Sequence, residues 1–115
     1  MKTCFSYHLL LTESNVFQEL LTKGLEYEDK IIGSCEISKE EFSVKHTKIP
    51  CLARQIQWYI LHRMGFSFPV IGKLYHRDHS TIINGVNRIQ GFIDINDELA
   101  INILNKIEYD YGKAN

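Results

Sequence analysis

The sequence has few of the features that mark disulfide-rich, secreted or membrane proteins. Its 115 residues include three cysteines, and Cys4, Cys35 and Cys51 show no C-x-x-C spacing. Such a set predicts neither a disulfide framework nor a zinc site, and it suits a reducing cytoplasm. The apolar run near Met1 is broken by His8, is well short of the ~20 residues of a membrane span, and has no cleavage pattern after it. We therefore expect a cytoplasmic protein with neither a signal peptide nor a membrane segment.

Signatures of catalysis and nucleotide binding are also missing. The phosphate-binding pattern G-x-x-x-x-G-K-[ST] does not occur, and the dipeptide Gly72-Lys73 is not enough to form one. His76 and His79 form an H-x-x-H pair without a third ligand at a matching helical spacing, so no metal site is predicted. No local signature supports a Cys–His or paired-carboxylate site. We expect no catalytic residue, no cofactor and no enzymatic activity.

What the sequence contains is an ordinary globular composition. Hydrophobic residues make up 44% of the chain and charged residues 23%, which is typical of a folded domain. The length suits one domain with a modest core, and no repeat, proline-rich linker or charge block marks a second one. We predict a single compact all-α domain over residues 1–115, of which residues 1–29 are an N-terminal helical extension.

The N-terminal extension contains two apolar segments. Phe5 and Leu9 are compatible with either a short helix over the core or a loose arm. The apolar residues from Val16 to Leu25 follow helical spacing. Gly24 argues against a helix that continues unbroken, because glycine is a poor helix former.

Capping signals mark helix boundaries further along the chain. Ser38 and Glu41 form a capping box ahead of a short helix near residues 39–43. A helix from Pro50 to about Met64 is predicted to be the longest, and Gly65 is expected to end it.

The last predicted helix carries apolar residues from Leu99 to Ile107 at helical spacing, with Asn96 or Asp97 as its cap. Two interpretations stay open for it. It either packs on the other helices as an ordinary end cap or supplies a surface for a protein partner or a homodimer.

The most informative stretch runs from Ser67 to Gln90. Its apolar residues recur at helical spacing on either side of the polar break His76-Arg77-Asp78, which predicts two short helices and a tight turn. Ser67 is placed to cap the first helix, and Pro69 stands in a first turn where no N–H is needed. Asp78 is placed to cap the second helix. Two helices joined in this way form a helix-turn-helix.

The second of these helices begins with short polar side chains, at the end that a recognition helix inserts into the DNA major groove. An aspartate accepts from cytosine N4, and serine or threonine bonds base edges or phosphates. Arginines beside this turn suit the flanking phosphates. The predicted DNA contacts of this region are Arg77, Asp78, His79, Ser80, Thr81 and Arg88.

Three runs occur in a characteristic order: Ala53-Arg54-Gln55-Ile56, Pro69-Val70-Ile71-Gly72 and Arg77-Asp78-His79-Ser80-Thr81-Ile82. Together they resemble the C-terminal DNA-binding domain of the bacterial replication initiator DnaA, and the last run is the most specific. With Ser38-Lys39-Glu40-Glu41-Phe42, the resemblance covers about residues 30–110. It implies a TrpR-like helix-turn-helix domain that reads a short A·T-rich box of double-stranded DNA, in replication or transcription control.

The resemblance also implies that the loop before Arg54 enters the neighbouring minor groove. In this chain the loop is thin in basic residues, and Leu52 stands where some family members carry an arginine. Lys45 and Lys48 are the residues of this loop that are candidates for contact with the DNA backbone or the minor groove. Lys73 is a further candidate for a phosphate.

The turn departs from the family as well. Family members often have Phe-Gly-Gly or Phe-Gly before the Arg-Asp-His run, whereas this chain has Tyr75-His76. Glycine adopts a positive φ at little cost, and other residues do not. Gly72 is expected to let the two helices approach closely.

Charge is unevenly distributed along the chain. Residues 45–90 hold seven basic residues and one acidic residue, a formal charge of +6, whereas residues 1–44 carry −4 and residues 91–115 carry −3. A basic centre between acidic flanks fits a domain that presents one face to DNA, because phosphate neutralisation supplies most non-specific affinity.

A second functional interpretation stays open. A protein-interaction module that kept the fold but lost specific DNA binding accounts for the thin basic loop and the altered turn. Its acidic flanks and last helix would then hold the partner.

Overall fold

The computed structural model describes residues 15–111. Within that range the chain is all-α, as its helical spacing predicted, and no strand is present. The expectations for Phe5 and Leu9 lie outside the described residues. The helices are α1 (Asn15–Cys35), α2 (Lys39–Val44), α3 (Lys48–Arg63), α4 (Phe68–Tyr75), α5 (His79–Asp94) and α6 (Glu98–Lys106).

The first helix differs most from expectation. α1 runs through Gly24 without a break, and its 21 residues exceed the 16 of α3. The prediction that the helix at Pro50 is the longest is therefore wrong. A Cβ on Gly24 would lie 2.4 Å from Leu61 Cδ2, so the missing side chain lets α1 pack closely on α3. This packing offsets the ~1 kcal/mol that glycine costs a helix.

The helix ends follow local chemistry. Ser38 Oγ accepts from the N–H of Glu41 at 3.0 Å, and Glu41 Oε1 accepts from the N–H of Ser38 at 2.9 Å, which confirms the capping box. α3 begins at Lys48 rather than at Pro50. The proline is tolerated inside the first turn because N–H groups there have no partner within the helix. Gly65, with φ of 112°, follows the end of α3 as predicted.

α3 lies at the centre of the core. Its residues Ile56 and Ile60 are fully buried, and α1 and α5 pack against it. α5 contributes Ile82 and Ile89 to the same core, and α6 contributes Leu104. None of the helices in residues 15–111 has the length and apolar character needed to cross a bilayer. The packing of α5 on α3 fixes the second helix of the helix-turn-helix to the centre of the domain.

Candidate nucleic-acid interface

α4 and α5 form the predicted helix-turn-helix, with His76 to Asp78 between them. Ser67 Oγ accepts from a backbone N–H in the first turn of α4 at 3.3 Å, and Pro69 lies in that turn. At the start of α5, Asp78 Oδ2 accepts from the N–H of Ser80 at 3.1 Å. All three predicted end signals are confirmed.

The turn is made without glycine. His76 has a left-handed backbone with φ of 57° and ψ of 46°, a conformation that costs a residue with a Cβ about 1–2 kcal/mol. The N–H of Arg77 donates to Gly72 O at 2.8 Å, which is the six-to-one bond of a Schellman motif. Because histidine lacks the freedom of glycine, contacts around the turn must stabilise this conformation.

Gly72 lies where α4 meets the start of α5. A Cβ at this position would lie 2.6 Å from Arg77 O and 3.6 Å from His79 Cα. These are backbone atoms in packed structure, which cannot move aside as the end of a flexible side chain can. The predicted close approach of the two helices at Gly72 is therefore confirmed.

α5 presents one face to the core and a polar face to solvent. Ile82 and Ile89 are fully buried, and Gly85 and Val86 lie on the same side. The first turn of the helix is exposed. Exposed polar side chains of α5 include His79, Ser80, Thr81, Asn84, Asn87 and Arg88.

Asn84 was not among the residues singled out in the sequence. It is exposed, and it follows Ser80 by four residues and Thr81 by three. Side chains at these spacings lie on one face of a helix. This spacing was the available signal, and it adds Asn84 to the polar face that begins the recognition helix.

Asp78 is occupied as the cap of α5. It accepts hydrogen bonds from the Ser80 hydroxyl and from the Ser80 N–H, and both use Oδ2. These two bonds, the side-chain bond first, lower the pKa of Asp78, and His79 acts in the same direction. The carboxylate is ionised at neutral pH, and its negative charge is stabilised by the positive end of the helix dipole.

Two arginines hold the end of α2 beside the turn. Arg54 is 4% exposed, and its Nη1 donates to Phe42 O and Lys45 O, both at 2.8 Å. Arg77 is half-buried, and its Nη2 donates to Ser43 O at 2.8 Å. Sequence reasoning missed the anchoring role of Arg54, because bonds over nine and twelve residues leave no local pattern.

These arginines also influence each other. Burial lowers the pKa of Arg54 and the charge of Arg77 adds to the lowering, whereas Cys51 raises it. An arginine nevertheless remains protonated in proteins. The Arg77 guanidinium lies over the Trp58 ring, 5.8 Å from its centroid. The residue predicted to meet a phosphate therefore also joins the turn to α2 and α3.

The remaining predicted contacts lie around the turn and along α3. Lys73 and His79 line an open cleft of about 410 Å³ together with Arg77 and Asp78. Lys45 directly follows α2, two residues after the carbonyl that Arg77 binds, and its side chain is exposed.

Two of the predicted contacts are associated with α3 instead. Lys48 is the first residue of α3 and is exposed. Arg88 lies against α3, where its Nη1 donates to Gln55 Oε1 at 3.3 Å, and it also covers the Phe92 ring. The candidate interface thus joins the start of α5, the end of α2 and the start of α3.

Known proteins resemble this chain over the same region. The family model described as the bacterial dnaA protein helix-turn-helix matches residues 29–89, slightly more than half of the chain. The chromosomal replication initiator protein DnaA of Streptococcus mutans is 40% identical over 75 residues, which cover 61% of this chain and 17% of the initiator. The corresponding proteins of Streptococcus agalactiae and Streptococcus thermophilus are 39% identical over 67 residues, or 56% of this chain and 15% of theirs. The chain spans less than a fifth of these initiators, and no solved structure matches it.

Proposed function

Because the chain belongs to the bacterial DnaA helix-turn-helix family, we propose that it binds double-stranded DNA sequence-specifically, with α5 in the major groove. The observation that supports this most directly is the exposed polar first turn of α5, held by the Asp78 cap and by the close contact at Gly72. A recognition helix needs such a turn, because its first side chains reach base edges while its apolar face stays in the core.

The polar face of α5 suits reading of A·T-rich DNA. Ser80 and Thr81 can bond base edges or phosphates, and the Thr81 methyl can pack on a thymine methyl. The Asn84 amide matches the adenine N6 and N7 pair, and His79 stands beside these groups at the helix start. Asp78 caps the helix through Oδ2, and its other carboxylate oxygen is proposed to accept from a base edge. We therefore propose a site similar to the boxes that initiators recognise.

The basic side chains suit the DNA backbone. Lys73 lies in the last turn of α4 and Arg88 in the second half of α5, where phosphate contacts would set the register of the helix-turn-helix. Lys45 and Lys48 would approach the adjacent DNA backbone or minor groove. Arg77 would contact the phosphate beside the turn. Each neutralised phosphate steepens the salt dependence of log K by ~0.9.

The proposed cellular role is occupancy of DNA sites in bacterial replication or transcription control, or in a mobile element. The match covers the helix-turn-helix part of the initiators, so we propose neither an ATP-dependent step nor another catalytic activity for this chain. Because DNA is the proposed partner, we propose a cytoplasmic location. Competition with an initiator for shared boxes is one form that such control would take.

The test is selection of bound duplexes from a random double-stranded library, with titration of the selected and a scrambled duplex at two salt concentrations. We expect an A·T-rich motif, affinity for it at least about 10³-fold above the scrambled duplex, and weaker binding at higher salt. Equal weak binding to both duplexes contradicts a sequence reader.

One observation favours the second interpretation, a protein-interaction module. Leu52, which stands where some family members carry an arginine, is buried in the core at 4% exposure. A partner would have to use residues such as Ile95, which is 71% exposed, because Ile103 and Leu104 of α6 are buried within the domain. Two results together would support this function: no enriched motif in the library selection, and loss of binding to a protein partner in Ile95→Asp.

A further inference from the structure

A chain of hydrogen bonds connects α1 to the helix-turn-helix through the core. Gln57 of α3 is fully buried, and its Nε2 donates to Gly24 O at 2.9 Å and to the Tyr75 hydroxyl at 3.1 Å. The Tyr75 hydroxyl donates in turn to Glu28 Oε1 at 2.6 Å. Gly24 and Glu28 both precede residue 29, where the family match begins.

Tyr75 occupies a sensitive position. It is the last residue of α4, immediately before His76, whose left-handed backbone starts the turn. Its ring meets the Trp58 ring edge to face at 6.4 Å between centroids. On the far side of His76, Arg77 lies over the same Trp58 ring and donates to Ser43 O. The turn is therefore held from both sides, by Tyr75 on one and by Arg77 on the other.

The direction of the Tyr75 bond is well defined. Burial, followed by the neighbouring Glu28 carboxylate, raises the pKa of Tyr75 well above its ordinary value. The hydroxyl stays protonated at neutral pH and donates to the carboxylate. A hydrogen bond with a charged partner is among the stronger kinds in proteins.

We propose that Glu28 is a positioning residue for DNA recognition, which acts through Tyr75 to hold the turn at His76 and thereby the direction of α5. The inference rests on the proposed DNA-reading function. α1 then contributes to DNA recognition, although Glu28 itself lies outside the segment that the family model matches.

The variants are Tyr75→Phe, Glu28→Ala and Glu28→Gln, with Glu26→Ala as the control. Glu26 is exposed on the same helix, so its removal changes the net charge as Glu28→Ala does. The measured quantity is the ratio of affinities for the selected and scrambled duplexes, because loss of a negative charge raises both affinities together.

Loss of a hydrogen bond to a charged group should lower this ratio about tenfold in Tyr75→Phe and in Glu28→Ala. Glu28→Gln should retain most of the ratio, because its amide oxygen can still accept from Tyr75. Glu26→Ala should leave the ratio unchanged.

Amide hydrogen exchange separates positioning from general stability. In Tyr75→Phe the N–H of Arg77, bonded to Gly72 O across the turn, should exchange about tenfold faster. The N–H of Ile60 in α3 should keep its protection. Equal acceleration at both amides, or an unchanged Arg77 rate, overturns the proposal.

The binding experiment distinguishes failure of the Glu28 role from failure of the DNA-reading function. A wild-type protein that selects a duplex, with the same ratio in Tyr75→Phe, overturns the role of Glu28 and leaves the DNA-reading function intact. A wild-type protein that selects no duplex overturns both.

Discussion

The two regions expected to approach DNA are held in different ways. The first turn of α5 is capped by Asp78, which bonds Ser80 only two residues away. The end of α2, which leads into the loop before α3, is held by Arg54 and by Arg77, the latter 34 residues beyond its acceptor Ser43. The start of α5 is therefore specified by neighbouring residues, whereas the loop beside it depends on the assembled domain.

The largest effect is expected at the contact between α4 and α5. Gly72→Ala places a Cβ 2.6 Å from Arg77 O, so the two helices must separate, at a cost of about 3 kcal/mol in the free energy of unfolding. Chemical denaturation measures this loss. Gly91→Ala is the control, because no atom lies within 4 Å of a Cβ there. Equal stability of the Gly72 variant and the control would contradict the close contact.

A somewhat smaller effect is expected at the end of α2. Arg54→Met removes the donor from Phe42 O, whose bond is buried, and from Lys45 O, whose bond is half-buried, which should cost about 2 kcal/mol of unfolding free energy. Arg63→Met is the matched control, since that guanidinium is exposed and donates to the Tyr59 hydroxyl rather than to a buried carbonyl. If both variants lose the same stability, Arg54 does not anchor the loop.

The next effect concerns DNA rather than stability. His79→Ala should cost roughly 1–3 kcal/mol in affinity for the selected duplex and relax the preference at one base pair. Lys73→Ala should instead weaken the selected and scrambled duplexes alike and reduce the salt slope by about 1. Titrations of both variants on both duplexes make the distinction. A uniform loss in His79→Ala would assign this residue to the backbone.

The smallest effect is a pH dependence at the α5 cap. The pKa of Asp78 is lowered in the folded protein by its two bonds from Ser80, so its contribution is present above the unfolded-state pKa. The contribution is lost as the pH falls through the lowered value. Asp78→Asn should remove this acid-dependent part of stability, measured by denaturation over a pH series. Parallel pH profiles of wild type and variant would show that the carboxylate adds none.

Much of the candidate interface was predictable because its signals are local. The caps at Ser67 and Asp78, the capping box at Ser38 and the exposed turn from His79 to Thr81 each involve residues within a few positions of one another. Asp97 was one of two candidates for the cap of α6 and accepts from a first-turn N–H at 3.1 Å. Such bonds form within a single helical turn, so residue type and spacing are enough to predict them.

The sequence by itself determined an all-α chain with a helix-turn-helix and a polar recognition turn, because helical periodicity and capping act over short distances. Only the tertiary structure decided that α1 continues through Gly24, that Arg54 is buried on backbone carbonyls, and that Tyr75 bonds Glu28 across 47 residues. These features depend on which helices pack together, and a buried polar group takes whatever partner that packing brings within reach.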